Sequence, residues 1–333
     1  MKIGVIGYGY WGPNLLRNFA EIGAVDLKWC ADTRADRRAL VKKRYPTIRV
    51  AENAEQILDD PEVNAVVIAT PVSAHYHLAK QALERGKHVL VEKPMTRTVA
   101  EGQALLELAD KKNLILMVDH TFIYTGAVRK MKEILDVGEL GDLYYLDSVR
   151  VNLGLFQSDI DVLWDLAPHD LAILTYLIHE APKFVSATGA DHTESGLADV
   201  AYMTMHFANN FIAHFHVNWL SPVKVRTTLI GGKDKMLVWN DLEPDEKIRI
   251  YDKGVDVTSG EGVHEMLVSY RTGDVWAPKV DQTEALKLEL GYFIDCIMKD
   301  QAPSNDGAAG LRVVRLLEAA EQSLNDRGKA VLL

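Results

Sequence analysis

The sequence predicts two joined folds. Residues 1–121 read as an α/β domain with a doubly wound parallel sheet, and residues 122–333 as an α+β domain with a large open, mostly antiparallel sheet. Three observations predict this. Apolar runs alternate strictly with amphipathic helical patterns through the first 120 residues. A glycine-rich turn, Gly7-Tyr8-Gly9-Tyr10-Trp11-Gly12, joins the first run to the first helix. After about residue 122 the pattern changes to alternating strands that follow one another at hairpin spacing.

In the first domain the apolar runs are 2–7, 25–32, 64–70, 88–93 and 114–120, with helical patterns at 12–22, 34–45, 53–60, 73–86 and 98–113. Continuously apolar strands separated by amphipathic helices mean a parallel sheet covered on both faces. In the second domain a helix over 125–137 ends at Gly138 and is followed by a strand over 143–153 and a helix over 163–179. Strands then read at 200–208, 211–220, 225–232, 235–242 and 246–252, and helices near 282–299 and 306–326 close the chain.

The bulk numbers narrow the function. A chain of 333 residues exceeds what one core usually holds. A formal net charge of −10, with no basic face or tail, makes nucleic acid and anionic membrane poor partners. The basic run at 34–44 reads as the solvated face of a helix. No apolar run reaches the length of a membrane span. Cys30 and Cys296 each sit in an apolar stretch, which fits buried thiols in the reducing cytoplasm.

Four stretches carry chemistry. In the glycine turn, Gly7 permits the bend, Gly9 lets backbone approach a pyrophosphate, and Gly12 lets helix and strand pack closely. The helix N-terminus then faces the phosphates, with Tyr10 and Trp11 beside them. Asp32 lies twenty positions after Gly12 at the end of the second strand, where a carboxylate accepts hydrogen bonds from the adenosine ribose. This favours NAD over NADP, with Thr33 and Arg37 nearby; Arg34 and Arg37 are close enough to meet a 2′-phosphate. The second stretch, ATPVSAHYH at 69–77, ends another strand and offers Thr70, Pro71 and Ser73 as cofactor-loop residues. His75 either touches the cofactor or starts the helix.

The third stretch is HVLVEKPMT, 88–96. Glu92 and Lys93 end a strand on the same carboxyl edge, and Pro94 constrains how the chain leaves it. A half-buried lysine held beside an oxidised nicotinamide is suited to proton transfer or to gripping a substrate hydroxyl. The fourth is LWDLAPHDLAIL, 163–174, where Asp165 and His169 share one helix face. From spacing alone a surface ion pair and a catalytic pair are equal readings.

The order GYGYWG, then ATP with a following histidine, then GKHVLVEKP resembles the glucose-fructose oxidoreductase, inositol dehydrogenase and MocA family, over nearly the whole chain. The resemblance implies a Rossmann domain that binds NAD, and a lysine of EKP in the active site, matched by Lys93. It implies an Asp-x-x-x-His pair facing the nicotinamide, matched by Asp165 and His169, with His169 as acid/base. Substrate is then expected between the domains, and family members differ in whether the lysine or the histidine carries the proton. The substrate pocket would draw on the regions of His120, Phe122, Tyr124, Asn152, Lys224 and Arg226; the two cations would suit an anionic nucleotide sugar, or are solvated strand residues. In the family the open sheet face packs against another subunit, so a homo-oligomer, dimer or tetramer, is expected there. That role, rather than a metal, is expected of His206, His214 and His216. Segments such as HTFIYTGAVRKMKEI and NWLSPVKVRTTLIGGK resemble members that make 3-keto UDP-sugars for surface polysaccharide and lipid A. The expected activity is therefore NAD-dependent oxidation of the 3-hydroxyl of a UDP-N-acetylglucosamine-type sugar. The alternatives are a free sugar or inositol, or a non-catalytic NAD(H) sensor. A sensor would need the glycine loop but not Lys93, Asp165 and His169 together.

Overall fold

The structure is a computed structural model that describes residues 1–154, 156–157, 159–259 and 266–333. It divides into two compact units, one of Met1–Tyr124 with Thr283–Glu318, the other of Thr125–Gln282 with Ala319–Leu333. The division differs from the sequence-based one in that the penultimate helix, and most of the last, belong with the first unit.

In the first unit, strands β1 (Lys2–Ile6), β2 (Asp26–Ala31), β3 (Arg49–Ala51), β4 (Ala65–Ile68), β5 (His88–Glu92) and β6 (Leu116–Asp119) alternate with helices α1 (Gly12–Glu21), α2 (Ala35–Arg44), α3 (Glu55–Leu58), α4 (Val72–Glu84) and α5 (Val99–Lys112). The sheet is wholly parallel in the order β3-β2-β1-β4-β5-β6. Every residue of β4 is buried, as expected for a strand covered on both faces. Only β3 escaped the sequence reading, because three residues are too few to display a period. Cys30 and Cys296 are free thiols and buried, and burial pushes Cys30 up to about 12.

The second unit opens with α6 (Gly126–Asp136), β7 (Leu143–Leu153) and α7 (Val162–Leu177). Strands β8 (Phe184–Ala190), β9 (Val200–His206), β10 (Ile212–Asn218), β11 (Leu220–Gly232), β12 (Met236–Asn240) and β13 (Ile248–Tyr251) follow, with a separate ribbon of β14 (Gly254–Ser259) and β15 (Met266–Arg271), then β16 (Val275–Trp276). Helices α8 (Ala285–Lys299) and α9 (Gly307–Asn325) and strand β17 (Val331–Leu332) end the chain. The nine-stranded order is β16-β13-β12-β11-β7-β10-β9-β8-β17, antiparallel except where β7 meets β10. Burial alternates along β9 and β10. Ala201, Met203, Met205, Ala213, Phe215 and Val217 face the core, while Tyr202, His206, His214 and His216 occupy the other face. There the Tyr202 ring stacks on His216 at 4.4 Å, His206 stacks on Phe184 at 4.5 Å, and His214 Nδ1 lies 2.9 Å from Asp147. Among the described residues, no helix is long and apolar enough to cross a membrane, and no cluster of three or more His, Cys, Asp and Glu side chains could hold a metal ion.

Candidate active site

One candidate region, in the first unit, is the carboxyl edge of the parallel sheet, where β1, β4, β5 and β6 are successive neighbours. Gly7 has φ of +102°, and a Cβ there would lie 2.3 Å from the Ala69 carbonyl oxygen. At Gly12 a Cβ would lie 2.4 Å from the Gly7 carbonyl oxygen. Internal packing therefore demands glycine at both. It does not at Gly9, where a Cβ would meet only the Arg34 guanidinium at 3.8 Å. The open space there, and an α1 start with neither a side-chain cap nor an acidic residue in its first turn, fit a bound pyrophosphate. Tyr10 and Trp11 stand exposed beside it.

Asp32 accepts the Tyr8 amide at 2.8 Å and the Arg34 amide at 2.8 Å. Burial works against its charge, but these hydrogen bonds prevail and hold the carboxyl below the ordinary aspartate range. Thr33 is exposed beside it, and Arg37 lies 3.6 Å from Asp36. After β4, Thr70 is half-buried, and Pro71 and Ser73 are exposed. His75 lies within α4 and is buried, with Nδ1 2.9 Å from the Pro94 carbonyl oxygen and Nε2 2.8 Å from that of Thr70. It ties together the two loops that leave β4 and β5, a role that neither sequence alternative anticipated.

β5 ends in buried Glu92, half-buried Lys93 follows, and the Lys93–Pro94 peptide bond is cis. Glu92 pairs in register with Asp119 at the end of β6. His120 follows, nearly wholly buried, with no hydrogen-bond partner at either ring nitrogen. Burial, reinforced by the positive charge of Lys93, pushes His120 down to about 3, so its imidazole is neutral. Tyr124 is buried and donates its hydroxyl to Asn305 at 2.6 Å, which commits that hydroxyl to the packed interior.

The other candidate region, in the second unit, is built on α7. Asp161 caps the helix by accepting the Trp164 amide at 3.0 Å. Asp165 and His169 are both half-buried and one turn apart, with Pro168 between them contributing no N–H to the helix ladder. Asp165 Oδ2 accepts the indole N–H of Trp219 at 3.0 Å. The next residue after His169, Asp170, receives a two-pronged salt bridge from Arg150 at 2.7 and 2.9 Å, and Ser148 donates to it as well. All three are buried. Of the other substrate candidates, Asn152 donates to the Leu153 carbonyl, Arg226 to Asp241 at 3.3 Å, and Lys224 is exposed.

Sequence reasoning missed Trp219, Arg150, Asp170, Asn305 and Glu289. Asp170 lies within LWDLAPHDLAIL, but its partner Arg150 is 20 positions away; Trp219 reaches Asp165 across 54, Glu289 reaches His120 across 169 and Asn305 reaches Tyr124 across 181, so no local spacing reports these pairs. Asp161, three residues before Trp164 at the head of an apolar helix, was a readable cap.

Comparison with known proteins matches residues 1–120 to the oxidoreductase family with an NAD-binding Rossmann fold, and residues 128–237 to the GFO/IDH/MocA C-terminal domain. The chain belongs to the Gfo/Idh/MocA oxidoreductase family. It is 29% identical over 317 residues to UDP-N-acetylglucosamine 3-dehydrogenase of Acidithiobacillus ferrooxidans, covering 94% of each chain. It is 25% identical to the scyllo-inositol 2-dehydrogenase (NADP(+)) of Bacillus subtilis, over 100% of this chain and 96% of that one. The solved structure of the Acidithiobacillus ferrooxidans UDP-N-acetylglucosamine 3-dehydrogenase superposes with a TM-score of 0.82 at 27% identity, over 98% of each chain. This Gfo/Idh/MocA protein is thus an NAD-binding oxidoreductase of sugars or polyols.

Proposed function

We propose that this protein oxidises the 3-hydroxyl of a UDP-N-acetylglucosamine-type nucleotide sugar with NAD. The product would be a 3-keto sugar for later transamination in surface polysaccharide or lipid A biosynthesis. The observation that carries the reading is the near-complete coverage, at 29% identity, of a relative named for that activity, in a chain that has Lys93, Asp165 and His169. Bound NAD supplies the hydride acceptor. His169 takes the proton of the reacting hydroxyl, and Asp165, steadied by the Trp219 N–H, favours the imidazolium that results. Lys93 hydrogen-bonds the reacting oxygen. His120 offers one donor and one acceptor to a sugar hydroxyl, which would satisfy ring nitrogens otherwise buried without partners. Asn152, Lys224 and Arg226 are carried as further substrate contacts, and Lys224 is exposed. The second sheet's outer face, with Tyr202 and His214 half-exposed on it, is the proposed contact of a cytoplasmic homo-oligomer.

The test is to mix protein and NAD with UDP-N-acetylglucosamine, its uronic acid, glucose or inositol, and to follow the reduced nicotinamide band with a ketone trap present. A stoichiometric burst with a UDP-sugar alone supports the reading. A burst with inositol or glucose instead overturns it in favour of the polyol class of the Bacillus subtilis relative.

A further inference from the structure

Behind Lys93 the first unit buries three carboxyl groups in contact: Glu92 from β5, Asp119 from β6 and Glu289 from α8. They are 8%, 5% and 0% exposed. Glu289 Oε1 accepts the His120 amide at 3.0 Å and the Asn305 side-chain amide at 2.9 Å. Its Oε2 has no partner so long as the carboxyl is ionised, yet it is buried beside Asp119. The other groups facing the cluster are Thr121, whose hydroxyl donates to Asp119, Tyr124 by way of Asn305, and Lys93. Lys93, the cation acting on Glu92, cannot by itself offset three desolvated charges. A second observation points outward from the cluster: His120, held through its amide by Glu289, keeps two buried ring nitrogens without partners next to the charge of Lys93.

The geometry points to a proton-sharing chain, Glu92–Asp119–Glu289, in which Glu289 is a positioning residue that keeps the edge bearing Lys93 and His120 from accumulating negative charge. Glu92 and Glu289 each hold a proton and donate it to Asp119. Burial first, and the neighbouring Asp119 second, push both glutamates well above the ordinary carboxyl range. As pH rises and these protons leave, negative charge appears beside Lys93. The chain thus makes the charge beside Lys93 depend on three buried carboxyls. This inference rests on Lys93 being the reactive amine proposed above.

Infrared spectra of holoprotein carrying carboxyl-labelled glutamate, taken near neutral pH, test the sharing directly. A protonated glutamic-acid band is expected in the wild type and should weaken in Glu289→Gln and in Glu92→Gln. Trace acylation of Lys93 across a pH series, read by mass spectrometry, tests the coupling. Glu289→Gln should make Lys93 reactive at lower pH, by several-fold at a given mildly alkaline pH. Absence of the band in wild type, or an unchanged Lys93 profile in the variant, overturns the inference. If Glu289→Gln does not fold, the wild-type band and its loss in Glu92→Gln decide. Neither readout needs turnover, so a protein that oxidises no sugar but shows both results would contradict the proposed activity alone.

Discussion

The two units solve the same electrostatic problem in different ways. In the first, the carboxyls of Glu92 and Glu289 are buried against Asp119, and protons offset the charge. In the second, Asp170 is equally buried but meets the Arg150 guanidinium in a two-pronged pair, and Asp165 meets an indole N–H. A guanidinium remains charged across the accessible pH range, whereas a shared proton does not. Beside Lys93 the environment can therefore change with pH. Around Asp165 and His169 it is fixed by Arg150 and Trp219. One edge is adjustable and the other is a rigid mount, and each can be broken separately.

The largest effects should come from the groups proposed to do the chemistry. Lys93→Met and His169→Asn should each lower kcat/KM by roughly 10²–10⁴-fold while NAD binding, followed by fluorescence titration, is kept. Normal turnover in both would remove the proposed roles. Next in size is the rigid mount. Arg150→Met leaves Asp170 as an uncompensated buried charge and should destabilise the protein by about 3–5 kcal/mol in denaturant unfolding. The double change Arg150→Met, Asp170→Leu should recover most of that loss. Trp219→Phe removes a hydrogen bond to a carboxylate and should cost about 1.5–3 kcal/mol, with a fall in kcat greater than any change in KM for sugar.

The adjustable edge is sharpened by pH. His120 is charged below its ordinary value of 6.5 when unfolded but stays neutral in the fold down to about 3. The unfolded chain binds more protons in that window, so His120 makes stability fall as pH drops through it. The buried glutamates act oppositely: the fold keeps protons that the unfolded chain releases above 4.5, so they make stability fall as pH rises. Thermal melts should show His120→Asn flattening the acid side and Glu289→Gln flattening the alkaline side, while Trp219→Phe alters neither slope. The smallest stability change belongs to Gly9→Ala, where the protein itself leaves room for the methyl. It should melt within about 1 kcal/mol of wild type yet bind NAD more weakly, whereas Gly7→Ala, at positive φ and against the Ala69 carbonyl, should fold poorly.

What the sequence disclosed follows from where each signal lives. The order of strands and helices in the first unit was legible because burial on both faces writes continuous apolar runs, and Gly12 is dictated by the nearby Gly7 carbonyl while Gly7 itself takes a positive φ. The alternation of β9 and β10 was legible for the same local reason, and gave the open face with its histidines. Lys93, Asp165 and His169 were legible as motifs. Their settings were not. Glu289 reaches His120 across 169 positions, and Trp219 reaches Asp165 across 54. Such partners are chosen by tertiary packing, and one sequence carries no record of the choice. Tyr124 and Arg226 read as pocket residues, and the fold engages them with Asn305 and Asp241. His75, read as a cofactor contact or a helix start, lies in the first turn of α4 and clamps two loops.

The central claim is that hydride leaves carbon 3 of a UDP-N-acetylglucosamine-type sugar. The most direct test is a single turnover of NAD with UDP-N-acetylglucosamine deuterated only at that carbon, with mass spectrometry of the recovered cofactor. The account predicts one deuterium in the reduced nicotinamide and a 3-keto product. Reduced cofactor without deuterium, or none with any UDP-sugar while inositol reduces NAD, would contradict it.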